Sequence, residues 1–250
     1  MLYRNVKLDT SRVIYSKRDR FYGIRVPDKL SVELAYETGL HLGDGHLRIG
    51  KRKDSSSVHW IVFSGNWKTE KGFYDSNLGP LIMILYNKKP QISYGGKNTV
   101  RLAFKSQAVA TFKHNVMGLP NGPKKGVLRI PKIISQAPLK FRIACLAGIL
   151  DTDFSLHIKR KHTPVFSAQF PEECRSFVLD LKRVLDSIDV KAGVYLTNCR
   201  DTRYTPVKCY KTYVINIWGS QKVKKLLDLC KFISPKYGQN VSMLNAADAI

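Results

Sequence analysis

The sequence predicts an α+β protein in which one αββαββα unit is used twice, with pseudo-twofold symmetry and the first helices of the two copies packed at the centre. Three observations predict it. Two nine-residue stretches share their internal spacing: Glu37–Gly45, reading ETGLHLGDG, and Leu146–Phe154, reading LAGILDTDF. Behind each, period-two and helical patterns follow in the same order. Further landmarks also match: Phe63-Ser64-Gly65-Asn66-Trp67 with Phe166-Ser167-Ala168-Gln169-Phe170, and Phe104-Lys105-Ser106 with Trp218-Gly219-Ser220. Landmarks repeated in a fixed order mark an internal duplication. The copies occupy 29–117 and 139–233, with a basic extension over 1–28, a linker over 118–138 and a tail over 234–250.

The elements follow in chain order. Asp28 or Ser31 can cap the first helix, which runs through Leu30, Leu34 and Ala35 into the first motif. Past Asp44 the period falls to two, Leu47 and Ile49 alternating with His46, Arg48 and Arg52. A polar turn over 53–57 leads to a second strand, Val58–Asn66. Thr69–Tyr86 reads as helical, with a break at Gly79-Pro80. Gln91–Tyr94 and Thr99–Lys105 form a hairpin, with Val100, Leu102 and Phe104 on one face and Arg101 and Lys105 on the other. Gln107–Val116 is a short closing helix. The linker is dense in breakers, among them Pro120, Gly122, Pro123, Gly126 and Pro131. The second copy repeats the order: helix Leu139–Asp153, then a hairpin with Leu156 and Ile158 inward and His157, Lys159 and Lys161 outward. Helix Pro171–Ile188, strands Lys191–Asn198 and Thr205–Trp218, and helix Ser220–Phe232 complete it.

Charge bounds the partner. The 250 residues hold 42 Lys and Arg against 19 Asp and Glu, a net +23. Such an excess costs self-repulsion and points to a polyanion, with nucleic acid ahead of a membrane surface because no long basic amphipathic helix is evident. Residues 1–28, basic and without clear periodicity, are then either an arm along DNA or a solvated lead-in. The five cysteines are odd in number and never form C-x-x-C, which reads as reduced thiols with no zinc site. Apolar runs are too short to span a bilayer and no signal-peptide region begins the chain. The expectation is an intracellular, DNA-associated protein (cytoplasm, nucleoid or organelle) with no membrane contact.

The motifs suggest the chemistry. Gly39 and Gly43, and Gly148 and Thr152, are four apart and so share a helix face without bulk, which lets a second helix approach closely. Each stripe ends in an aspartate, Asp44 or Asp153. Two carboxylates brought to the C-terminal ends of paired helices repel each other and the helix dipoles, and a divalent cation relieves this. For a single copy, Asp44-Gly45 could equally be a glycine-capped helix end.

At these residues the chain resembles the LAGLIDADG homing endonucleases, specifically the single-chain, two-motif kind. The second motif departs chiefly at Phe154. The first keeps Gly39, Gly43, Asp44 and Gly45 but has Glu37, Thr38, His41 and Leu42 at unusual positions. The resemblance implies a monomer with two antiparallel sheets forming a DNA-binding saddle. It implies a metal site at Asp44 and Asp153 with Gly43 and Thr152, holding Mg²⁺ or Mn²⁺, with Ca²⁺ supporting binding without cleavage. The catalytic set would add Lys105 as the cation facing the transferring phosphate, and Asn66 or Gln169 as a hydrogen-bond partner of the water. The landmark match sets Lys105 opposite Gly219, so that only one half carries this lysine.

Strands that alternate apolar and basic residues cannot be core on both faces. The candidate DNA-reading residues are Arg48, Lys51, Arg52, Ser64 and Arg101 in the first half. In the second they are His157, Lys159, Lys161, Ser167, Lys191, Tyr195, Asn198, Arg200, Lys208 and Lys211. A strand of about eight residues spans about 27 Å, or about eight base pairs at about 3.4 Å each. The function implied is site-specific hydrolysis of both strands of a long double-stranded DNA target. The ends, Met1 and Ala249-Ile250, lack intein splicing residues, which favours an intron-encoded protein. The rivals are an RNA maturase acting on its intron RNA, and a non-cleaving DNA binder on the same scaffold.

Overall fold

A computed structural model describes residues 6–51, 57–96, 98–158, 163–202, 205–230 and 237. Chain contacts divide these into two compact units, the first holding 6–124 and 131–152, the second 125–130, 153–230 and Tyr237. The second motif helix therefore groups with the first unit through residue 152. The expected division put it at the head of the second copy.

The first unit opens with a folded segment. Asp9 caps a 3-10 turn at Thr10–Arg12, and helix α1 (Lys17–Phe21) carries a capping box between Ser16 and Asp19. Leu8 and Ile24 are buried, and the Ile14 amide donates to Thr111 Oγ1 at 3.0 Å. The buried Asp19 carboxylate accepts from the Ser106 hydroxyl at 2.7 Å and from the Ala108 amide at 3.1 Å. Residues 6–28 are thus packed into the unit rather than forming a solvated lead-in. Irregular spacing hid this, because their apolar anchors are few and fall in turns.

Ser31, not Asp28, caps helix α2 (Val32–Gly43) through the Leu34 amide. Strands β1 (Gly45–Lys51) and β2 (Ser57–Asn66) follow. Helix α3 (Trp67–Phe73) continues without a break through a π turn, Tyr74–Leu78, into α4 (Gly79–Tyr86). The widened turn puts Pro80 in the first turn of α4, where its missing N–H is not needed, so the expected break is absent. Strands β3 (Gln91–Gly95) and β4 (Thr99–Lys105) complete an antiparallel sheet ordered β1-β2-β4-β3. Ser106 caps α5 (Gln107–Thr111), which runs into a π turn, Phe112–Val116. The linker then lies along the free edge of β1. Asn121 bonds both the amide and the carbonyl of Ile49, at 2.7 and 2.9 Å, and the Gly122 amide donates to Leu47 at 2.8 Å. Helices α6 (Lys132–Ser135) and α7 (Leu139–Asp153) follow.

The second unit repeats the order. Strands β5 (Ser155–Ile158) and β6 (Pro164–Pro171), helix α8 (Arg175–Ser187), strands β7 (Gly193–Asp201) and β8 (Lys208–Trp218), and helix α9 (Ser220–Cys230) give a sheet ordered β5-β6-β8-β7. The face Phe177, Leu181, Val184 and Leu185 of α8 is buried, as its spacing requires. The fold is α+β with two four-stranded antiparallel sheets.

Candidate metal and nucleic-acid site

Helices α2 and α7 meet backbone to backbone. A methyl group on Gly39 would overlap the Cys145 carbonyl and lie 3.0 Å from the Gly148 Cα. One on Gly148 would overlap the Tyr36 carbonyl and lie 2.6 Å from the Leu40 nitrogen. Only glycine permits this approach. The Tyr36 hydroxyl donates to the buried Asp151 carboxylate at 2.6 Å across the seam. Asp44 follows Gly39, and Asp153 follows Gly148, at the same spacing along the chain.

Asp44 is the C-cap of α2, half-buried, with its amide on the Leu40 carbonyl at 2.9 Å. Its carbonyl accepts from the Ser64 amide at 3.3 Å. Below the helix end the Lys124 ammonium donates to the carbonyls of His41 (3.3 Å), Leu42 (2.7 Å) and Gly43. Asp153 is the last residue of α7 and half-buried. The Thr152 hydroxyl is turned back onto the Gly148 and Ile149 carbonyls at 3.1 and 3.0 Å, so its backbone oxygen is what it can offer a metal. The Gly43 carbonyl already draws a cation, and carboxylate and carbonyl oxygens suit a hard divalent ion. Among the described residues no group of three or more His, Cys, Asp and Glu could hold a metal. A Mg²⁺-type ion, which keeps several waters and takes substrate phosphate oxygens, is compatible with so few protein ligands.

Behind Asp44 lies a buried ionic network. Glu37, at the first position of its motif, pairs with the fully buried Lys113 and accepts from the Tyr86 hydroxyl at 3.1 Å. Burial pulls the Lys113 ammonium below its usual pKa, with Glu37 opposing. His41 is buried edge-on to Phe63, its Nδ1 without a partner among the described residues. Burial, then Lys113 and Lys124, holds it well below the usual histidine range, so it is neutral. Burial and then the Asp44 charge push the Tyr74 phenol above its usual value.

Pairing register decides which side chains share the outer face. In the first sheet Arg48 faces Trp60 and Lys105, and Ser64 faces Arg101. His46 lies on this face too, with Gln91 and Ser93 of β3. Lys105 is four strand residues from the level of Ser64, or about 13 Å, whereas Arg101 pairs with Ser64, whose amide bonds the Asp44 carbonyl, and Lys124 bonds the Gly43 carbonyl. Asn66 caps α3 by accepting from the Lys68 amide at 2.9 Å. Lys51 falls on the face of Leu47 and Ile49, contrary to expectation.

In the second sheet Ser167, Gln169, Tyr195, Lys208 and His157 share the outer face. Asn216 joins them, donating to the Tyr195 hydroxyl at 2.7 Å. Gln169 is exposed beside Cys199. Asn198, Arg200 and Lys211 have the opposite parity, shared with Leu196 and Tyr213. They lie in a two-stranded overhang past Thr212, where β6 stops pairing. Lys191 precedes β7 and contacts Asp186 at 3.7 Å. Arg52, Lys159 and Lys161 lie outside the described residues. Both β4 and β8 end on the outer face, at Lys105 and Trp218, each followed by the residue that precedes a helix. Trp218 is therefore the counterpart of Lys105, and Gly219, in the turn, is not. Sequence reasoning missed Lys124, hidden among linker breakers, and the half-buried Trp60 and buried Asn216, whose place on the outer face follows only from register.

No family model matches the chain. I-DmoI in complex with DNA and Mn superposes with a TM-score of 0.57 at 19% identity, over 80% of this chain and 95% of that one. The LAGLIDADG meganuclease I-AabMI bound to uncleaved DNA superposes with a TM-score of 0.53 at 14% identity, over 88% and 92%. The chain has the LAGLIDADG homing-endonuclease fold. A curated relative, the tRNA-splicing ligase RtcB of Pyrococcus furiosus, is 26% identical over 239 residues, covering 88% of this chain. The match takes in only 23% of that relative's length. Among the described residues no helix is long and apolar enough to cross a membrane.

Proposed function

We propose that this chain is a metal-dependent endonuclease that recognises a long double-stranded DNA target and hydrolyses both strands, acting as a monomer in association with DNA. The observation that carries the reading is the glycine-to-glycine crossing of α2 and α7, each helix delivering an aspartate at the same spacing beyond it. The LAGLIDADG fold and the DNA complexes of its neighbours support it.

Asp44 and Asp153, with the Gly43 and Thr152 carbonyls, would hold a hard divalent cation. Such an ion, when bound, supplies an activated water and stabilises the leaving oxygen. The chain's own residues do the rest. Arg48, Arg101 and Lys105 on the first outer face, and Lys208 on the second, offset phosphate charge, and His157 offers a hydrogen bond. Trp60, Ser64, Ser167, Gln169 and Tyr195 present edges that can reach bases in the major groove. Lys105, far along β4 from Ser64, serves in DNA binding rather than at the reacting phosphate.

Incubation with a plasmid library of genomic fragments, in Mg²⁺ or EDTA, followed by sequencing of linearised molecules, tests this. Cutting within one long shared sequence, in Mg²⁺ alone, is expected. Duplex binding without linearisation in any divalent ion would replace the enzyme by a binder.

A further inference from the structure

A second surface of the first unit has the features of a nucleic-acid site and plays no part in the reading above. Phe21, at the end of α1, is 83% exposed, and its neighbour Tyr22 is 52% exposed. The rings meet edge to face, with centroids 5.1 Å apart. Arg18 stands over the Tyr22 ring at 5.6 Å and Lys88 at 5.5 Å. Lys17, Arg20, Arg25 and Lys89 are exposed around them, while Asp19, the acid within 17–25, is buried and turned to Ser106.

The turn is held fixed. The Arg25 amide and guanidinium donate to the Tyr86 and Ile84 carbonyls at 3.2 and 3.1 Å, and Asn87 donates to the Gly23 carbonyl at 2.9 Å. This ties Phe21 and Tyr22 to the end of α4, whose Met83 and Ile84 are also exposed. Helix α4 packs on α2, and at Gly79 on the inward side chain of Ile92. The exposed rings therefore belong to the helical layer, while Arg18 also borders a cleft that reaches Lys105 at the end of β4.

A bare aromatic ring among cations fits one ligand chemistry well: phosphates for the cations and a base for the ring. In a duplex both faces of each base are already covered, so only an unpaired base can stack there. We propose that the Phe21–Tyr22 corner binds single-stranded nucleic acid, stacking a base on Phe21 and holding flanking phosphates on Arg18, Arg20 and Lys88.

Fluorescence anisotropy of the full chain with a short labelled oligouridylate and an oligothymidylate of equal length tests this. Wild type binds; tighter binding of the RNA or the DNA arm tells which strand the corner prefers. Phe21→Ala weakens binding by about 5- to 150-fold, the loss measured for one base stack, and Phe21→Trp retains it. Arg20→Ala with Lys88→Ala flattens the salt dependence of single-strand binding. Duplex affinity and cleavage stay unchanged in all three variants, which separates failure here from failure of the endonuclease reading. No binding by wild type, unchanged affinity in Phe21→Ala, or displacement by polyglutamate as effective as by unlabelled oligonucleotide overturns the proposal.

Discussion

The Lys124 ammonium rests on the Leu42 carbonyl at 2.7 Å, capping with positive charge the helix end that delivers Asp44. Unsatisfied carbonyls at a helix C-terminus carry partial negative charge, and a cation there contributes about 0.3–2 kcal/mol depending on burial. Lys124→Met should lower the melting temperature accordingly. If a divalent ion uses the same carbonyls, Mg²⁺ should stabilise the variant more than the wild type. Identical melts and identical responses to Mg²⁺ would remove the cation site from this helix end.

Asp44→Asn and Asp153→Asn should each abolish double-strand cleavage while leaving duplex binding in Ca²⁺ largely intact. The amide keeps the shape of the side chain but loses the charge that a hard cation requires. Gel assays of cleavage and binding on the same target separate the two effects. Wild-type cutting by both variants would reduce the aspartates to helix caps.

At the crossing, Gly39→Ala and Gly148→Ala each force a methyl group into a carbonyl of the facing helix. Overpacking of this kind costs about 1–3 kcal/mol, occasionally more. Because the obstacle is backbone, no rotamer change relieves it. Urea titrations should show lowered midpoints for both variants; Gly50→Ala, in open space on β1, is the control.

Lys113→Met leaves Glu37 charged, buried and without its partner, a defect of about 3–5 kcal/mol. Adding Glu37→Leu, the residue at the matching position of the second motif, should recover most of that loss, since buried ion pairs are often replaceable by apolar residues. Chemical denaturation of the single and double variants measures the recovery. A double variant as unstable as Lys113→Met would show that Glu37 has a further role.

Stability should depend on pH through Asp19. Burial alone would raise its pKa, but hydrogen bonds from Ser16, Ser106 and the Ala108 amide outweigh it and hold the group below its usual value. A carboxylate depressed in the folded state stabilises above its unfolded pKa, about 4, and that contribution is lost as pH falls through the folded pKa. Asp19→Asn should therefore melt lower than wild type at neutral pH, with the gap closing on acidification below about 4. A gap that persists unchanged in acid would mean the carboxylate charge is not what matters.

Much of the fold was legible because its signals are local. Helix Leu139–Asp153 was bounded correctly by its apolar spacing, and β4 by its alternation. Side-chain faces were less secure. Asn198, Arg200 and Lys211 looked like their neighbours in charge, but a strand gives successive residues to opposite faces, and only the register fixes which face is outer. Lys113 could not be matched to Glu37, because nothing local links residues 76 apart in sequence. Lys124 was lost among the prolines and glycines that mark a linker, although such a segment is free to bring a side chain under a helix end.

The bond from Tyr36 to Asp151 has a consequence for how the motif helices can pair. In the matched numbering of the two motifs the mirror-image positions are Cys145 and Leu42, a pair without a carboxylate. Two copies of α2 would set the Tyr36 hydroxyl against Leu42. Two copies of α7 would set Asp151 against Cys145, deprived of the tyrosine. Each helix now suits the other better than it suits its own duplicate. The two motif helices thus form a complementary pair, and either one paired with its own copy would lack the tyrosine–carboxylate bond.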